Sequence, residues 1–172
     1  MYQDIVLQDA DYGGRFFIEA PSLLWDRDYP TEPVMQDGEF ERATNQIFLD
    51  NAHGDVLVGG LGIGLIIKAI EDNENVTSIT IVEKHQEVID LITEQVTFNE
   101  KVTIICANYH TYVPETTYDT IWLDDWTSPE EDEEYRENQT FIGDSREQWK
   151  NDMLPYLNEG GYIDYWKPEL EQ

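Results

Sequence analysis

One stretch limits the possible folds more than any other: from Asp55 to Glu83 the chain reads as strand, glycine turn, helix and second strand. Asp55 to Val58 is a short apolar run, Gly59, Gly60, Gly62 and Gly64 punctuate the turn, and Leu65 to Glu71 carries helical spacing. Ser78 to Val82 then delivers Glu83, nineteen positions after Gly64. Glycines permit positive φ and a close approach of ligand to backbone, while a carboxylate at the next strand tip can accept from both ribose hydroxyls. The stretch therefore predicts a nucleoside-binding half-unit. Its spacing, Gly60-x-Gly62-x-Gly64, is not the dinucleotide form. It suits a turn covering a nucleoside with an amino-acid tail better than one seating a pyrophosphate on a helix N-terminus.

Alternation of strands and helices continues on both sides. Gly38 to Ala52 places Phe40, Ala43, Ile47 and Phe48 at helical spacing with Asp37 as a cap, and predicts one helix leading into the first strand. Residues 86 to 96 predict a helix, Val102 to Cys106 a third strand, and Asp119 to Leu123 a fourth. Asp144-Ser-Arg-Glu147 reads as a capping box for a helix ending near Leu154, because Pro155 cannot continue it. Gly160 and Gly161 then release a fifth strand, Tyr162 to Trp166. Ahead of all this, Ile5 to Leu7 and Phe16 to Ile18 flank a turn signal and predict a β-hairpin, followed by a loop holding Pro30 and Pro33. The expected architecture is a single α/β domain: a hairpin and loop over 1–37, and a Rossmann-like parallel sheet with right-handed crossovers over 38–172.

Val56 to Gly64, Ile81 to Ile89 and Tyr118 to Asp124 resemble the first, second and fourth motifs of class I S-adenosylmethionine-dependent methyltransferases. Within that superfamily the spermidine synthase-like branch is the most similar, and Tyr2 to Val6 with Gly14-Arg15 resembles that branch's N-terminal hairpin. The resemblance implies S-adenosylmethionine, or its decarboxylated form, as cofactor. The family's sheet continues with another helix and a final antiparallel strand pair, and this chain is expected to depart from that pattern by stopping after strand five.

Ligands of such sheets bind beyond the strand C-termini. The candidate cofactor-binding residues are therefore Gly60, Leu61, Gly62, Gly64, Glu83, Lys84, Asn108, Tyr109 and Asp124. The family commonly has an aspartate where this chain has Asn108; an asparagine can still accept from an adenine amino group, or can simply make a turn. Asp124 is the candidate catalytic residue, placed to hold the cofactor's ammonium or to take a proton from the acceptor, with Asp125 pointing elsewhere. Trp122 is expected in the core, while Trp126, Tyr109 and Tyr112 are candidate aromatic walls for a sulfonium. His85 and His110 lack a third partner at ligand spacing, so no metal site is expected. Glu83 is expected to be exposed in the empty protein.

Composition removes other classes. A net charge of -27, from 37 acidic and 10 basic residues, makes approach to nucleic acid phosphates unfavourable. The acidic run Glu130 to Glu134 reads as a solvated face. Cys106, the single cysteine, excludes an intrachain disulfide and reads as a buried, inert thiol. No apolar run could span a bilayer and the N-terminus lacks a signal-peptide pattern, so a cytoplasmic location is expected. Halophilic adaptation would also produce such acidity, but the isoleucine and asparagine content points to an AT-rich genome, as found in some phages and marine bacteria. The expected activity is methyl transfer to a small molecule or protein. Aminopropyl transfer is the alternative, against which Ile63 stands where that branch has an aspartate. A third reading is a catalytically silent acidic binding module. An open fifth-strand edge or the hairpin would support a homodimer.

Overall fold

The structure, a computed structural model, describes residues 5–7, 16–18, 39–124 and 145–167. Strands β1 (Ile5–Leu7) and β2 (Phe16–Ile18) pair antiparallel, as the hairpin signal predicts. Helices α1 (Glu39–Thr44) and α2 (Gln46–Asn51) lead into β3 (Gly54–Gly59), followed by α3 (Leu65–Ile70), β4 (Val76–Glu83), α4 (Gln86–Thr93), β5 (Val102–Cys106) and β6 (Tyr118–Leu123). Helix α5 (Ser145–Met153) passes through a 3-10 turn at Leu154–Tyr156 into β7 (Leu157–Tyr165). The five strands β3 to β7 form one parallel sheet in the order β5-β4-β3-β6-β7, the Rossmann-like arrangement expected. Asp37, Asp144, Asp125, Trp126 and the acidic run 130–134 lie outside the described residues.

Alternation along the strands divides the core. Val56, Val58, Ile79, Ile81 and Trp122 face helices α2, α3 and α4, where Phe48 stacks on Trp122 with ring centroids 5.1 Å apart. Leu57, Val82, Ile121 and Leu123 face the other way, onto Trp149 and Met153 of α5 and onto Tyr109 and Tyr112. Trp122 is 1% exposed, a core residue as the sequence suggests.

Three expectations need correction. The helix over Gly38 to Ala52 is two helices, interrupted at Asn45, whose side-chain amide donates to the Glu41 carbonyl at 3.0 Å and to Glu41 Oε1 at 3.2 Å. Such local bonds compete with a regular helical ladder. Strand β7 begins at Leu157, because Gly160 and Gly161 lie inside it: the register jumps from Tyr118↔Leu157 to Thr120↔Tyr162, and Gly160 supplies φ +82 to absorb the extra residues. Cys106 is exposed rather than buried. It ends β5, which among the described residues is an outer strand of the sheet, paired with β4 alone.

Candidate functional site

The turn after β3 is shaped by backbone conformation before any side chain acts. Gly60, Gly62 and Gly64 take φ values of +100, +50 and +76, a run that L side chains resist. A Cβ on Gly60 would stand 2.7 Å from the Asp124 carbonyl oxygen, and one on Gly64 would stand 2.8 Å from Phe98 Cζ. Thus the turn is held close to the end of β6 on one side and to the α4–β5 connection on the other.

Hydrogen bonds extend the sheet past its strand ends and gather the candidate residues. Gly60 N donates to the Val82 carbonyl at 2.9 Å, Asp124 N to the Gly59 carbonyl at 2.8 Å and Ala107 N to the Glu83 carbonyl at 2.9 Å. The structure therefore brings Gly60, Leu61, Glu83, Asn108, Tyr109 and Asp124 to one edge. Lys84 follows Glu83 directly there.

Glu83 is the main surprise. It is 6% exposed, not open to solvent as expected. Its Oε2 accepts from Leu61 N at 3.0 Å and its Oε1 from His85 N at 2.8 Å. The carboxylate ties the glycine turn to the tip of β4, and so it orders the site before any ligand arrives. Each oxygen retains a second lone pair, enough for a pair of ribose hydroxyls.

Asn108 makes the turn: its Oδ1 accepts from His110 N at 3.0 Å, and Thr111 N donates to its carbonyl at 3.1 Å. Tyr109 lies against Gly59, where an added Cβ would meet Tyr109 Cβ at 3.3 Å, and its carbonyl accepts from Trp149 Nε1 at 3.1 Å. Tyr112 packs with the same cluster, and burial together with Tyr118 pushes its hydroxyl above the usual tyrosine value. Leu57, Gly59, Val82, Tyr109, Tyr112, Trp149 and Met153 leave a crevice of about 10 Å³, room for one water at most. His85 precedes α4 and His110 lies against Tyr109 at 4.5 Å. Among the described residues no group of three or more His, Cys, Asp or Glu is placed to hold a metal, and no helix is long and apolar enough to cross a membrane.

Two groups of residues escape sequence reasoning. Trp166 N donates to the Leu123 carbonyl at 2.8 Å and its indole Nε1 to Thr44 Oγ1 at 3.0 Å, which brings α1 to the strand ends. Glu41 belongs to this corner, and burial pushes its carboxyl above the usual range although Asn45 donates to it. At the outer strand, Lys150 and Lys167 meet Asp164 at 3.1 and 3.0 Å beside the ring of Tyr165. The spacing of Arg146 and Lys150 along α5 carried a signal, since residues four apart share a helix face.

Sheet order and glycine turn together define a Rossmann-like fold of the methyltransferase type. The fold is similar to that of DhpI in its complex with SAM and HEP, with a TM-score of 0.51 and 16% identity, covering 71% of this chain and 51% of that one. The plantazolicin methyltransferase BpumL in complex with SAH is similar at a TM-score of 0.44 and 18% identity, over 70% of this chain and 41% of that one. The chain spans about half the length of the solved structures it matches first. No family model matches the sequence, and no curated protein matches it.

Proposed function

We propose that the protein binds S-adenosylmethionine at the glycine turn and transfers its methyl group to a small-molecule or protein acceptor. The observation that carries this reading is Glu83, a buried carboxylate already bonded to Leu61 N and facing the glycine turn. Gly60, Leu61, Gly62 and Gly64 would cover the nucleoside and its amino-acid tail, with Lys84 flanking the ribose. Asn108 and Tyr109 would border the adenine. Asp124 would hold the cofactor's ammonium or receive the acceptor's proton. In the transfer, the bond from methyl carbon to sulfur breaks as the bond to the acceptor forms, the acceptor loses a proton, and the neutral thioether leaves. Such a reaction asks the protein mainly for in-line positioning and exclusion of water.

Aminopropyl transfer is less well supported. Ile63 is 8% exposed and packs in the core, so the position where that branch carries its amine-binding aspartate is closed to a charged group here. Titration calorimetry with S-adenosylmethionine, its decarboxylated form and S-adenosylhomocysteine tests the choice. Binding of the first and third, with the decarboxylated form weaker, is expected; no binding by any of them ends the reading.

The homodimer belongs to the same proposal, with a narrower seam. Among the described residues β7 is the last strand of the sheet; Lys150, Asp164 and Lys167 place charge along it and the Gly160 bulge distorts it, both of which oppose strand pairing. The hairpin β1–β2 is the better contact. Light scattering should show association rising with salt, and a monomer at every ionic strength would remove it.

A further inference from the structure

A side-chain amide has two unlike ends, one that donates and one that accepts, and its neighbours decide which end it offers to a ligand. For Asn108 that choice is already made. Its Oδ1 accepts from His110 N at 3.0 Å, and a backbone N–H can be met only by the oxygen end. Turning the amide over would set donor against donor and cost His110 N this acceptor. Nδ2 is thus the end turned away from His110, and among the described residues nothing accepts from it.

The loop that carries Asn108 is fixed from three sides. Ala107 N donates to the Glu83 carbonyl at 2.9 Å, and Thr111 N to the Asn108 carbonyl at 3.1 Å. Trp149 of α5, itself buried, donates its indole N–H to the Tyr109 carbonyl at 3.1 Å. These bonds set the amide before a ligand arrives. Cys106 is the register partner of Glu83, and pairing continues through Ala107, so Asn108 follows onto the face of the sheet that Glu83 occupies, while Tyr109 packs to the other face against Gly59. An aspartate in the same turn would keep the bond to His110 N and turn a second oxygen outward. Asn108 turns out a donor instead. Adenine offers donors only at its amino group and acceptors at its ring nitrogens, and two donors face to face repel.

We propose that Asn108 reads the base of the cofactor as a donor: its Nδ2 gives a hydrogen bond to a ring nitrogen of adenine and leaves the exocyclic amino group to other partners. The proposal rests on the reading of the glycine turn as an S-adenosylmethionine site and states how that site recognises its base. The amino group of the cofactor is then not what Asn108 selects for, and a purine without it satisfies this contact equally well.

The test is calorimetric titration of the full chain and two variants with S-adenosylhomocysteine, which lacks the sulfonium charge. Asn108→Asp keeps an acceptor for His110 N and replaces the outward donor by an acceptor. Asn108→Ser keeps a hydroxyl for the turn, adds no charge and removes the outward amide. Affinity should fall at least about tenfold in the first and at least about threefold in the second, with urea-unfolding midpoints unchanged. The analogue of S-adenosylhomocysteine whose base lacks the amino group should lose by the same factors to within about twofold, because the amino group takes no part in the contact. Binding of S-adenosylhomocysteine by Asn108→Asp as tight as that of the parent, or tighter, overturns the proposal and gives the side chain to the amino group or to the turn alone. So does a loss confined to the charged variant, or one that vanishes with the analogue lacking the amino group. A loss accompanied by lower unfolding midpoints in both variants makes Asn108 a turn residue and overturns it as well. Failure of the parent to bind either ligand ends the S-adenosylmethionine reading and this one with it, whereas binding by the parent with indifferent variants ends this one alone.

Discussion

Removing the Glu83 carboxylate would leave Leu61 N and His85 N without their acceptor in a place water hardly reaches. Glu83→Ala should therefore cost about 1–3 kcal/mol of stability in urea unfolding, besides lowering S-adenosylmethionine affinity by at least about tenfold in calorimetry. A fully stable variant with weakened binding would mean that the turn does not depend on this side chain. Gly60 and Gly160 offer a matched pair, since both hold positive φ but only Gly60 has a backbone oxygen in the way, 2.7 Å from a built Cβ, while Gly160 has nothing within 4 Å. Alanine at either position should lose about 1–2 kcal/mol to conformation. Gly60→Ala should lose about 1–3 kcal/mol more by overpacking against Asp124; equal losses in urea unfolding would show that the turn can move away. The place of Glu83 at the tip of β4, beside the glycine turn, was legible from its spacing to the glycines. Its burial was not, because spacing along a chain does not say which backbone donors fold back onto a carboxylate.

Elements were legible where the local pattern and the tertiary surroundings agree. Strand β5 runs over Val102–Cys106 as read from its apolar run, and β6 differs from its expected start by one residue. The start of β7 and the break at Asn45 were hidden, since one depends on a bulge against β6 and the other on a side chain bonding its own helix. Asp119 shows how much one side chain can join between elements: its carboxylate accepts from Asp55 N at 2.8 Å and from Asn158 Nδ2 at 2.8 Å, linking the starts of β3 and β6 to the bulge of β7. The backbone bond from Asp55, then that from Asn158, holds its carboxyl below the ordinary aspartate value of 3.8. A depressed folded-state value means that its stabilisation is present above 3.8 and is lost as pH falls through the lower, folded-state value. Asp119→Asn should therefore flatten the acid limb of a melting-temperature profile below 3.8, and an unchanged limb would mean that the carboxylate is not linked to folding.

At the scale of the whole molecule, composition states a cost that the fold must carry. A net charge of -27 opposes compaction, and sodium chloride shortens the screening length from about 8 Å at physiological ionic strength to about 3 Å at 1 M. The melting temperature should rise by at least about 2 °C across that range by differential scanning calorimetry, and a fall would show that ion pairs such as Lys150–Asp164 outweigh the repulsion. The sign of the overall charge was plain in the sequence. The approach of Arg146 and Lys167 to the ring of Tyr165 was not, because it unites a residue of α5 with others at the end of β7.

The bond from Trp166 to Thr44 joins residues 122 positions apart. For a chain growing from its N-terminus, β3, the glycine turn and β4 can associate while synthesis is still under way, as neighbours in sequence. The corner where α1 meets the strand ends has to wait until β7 has emerged. A nascent chain would thus complete the glycine turn and the strand pair beside it well before Trp166 could close the corner against Thr44.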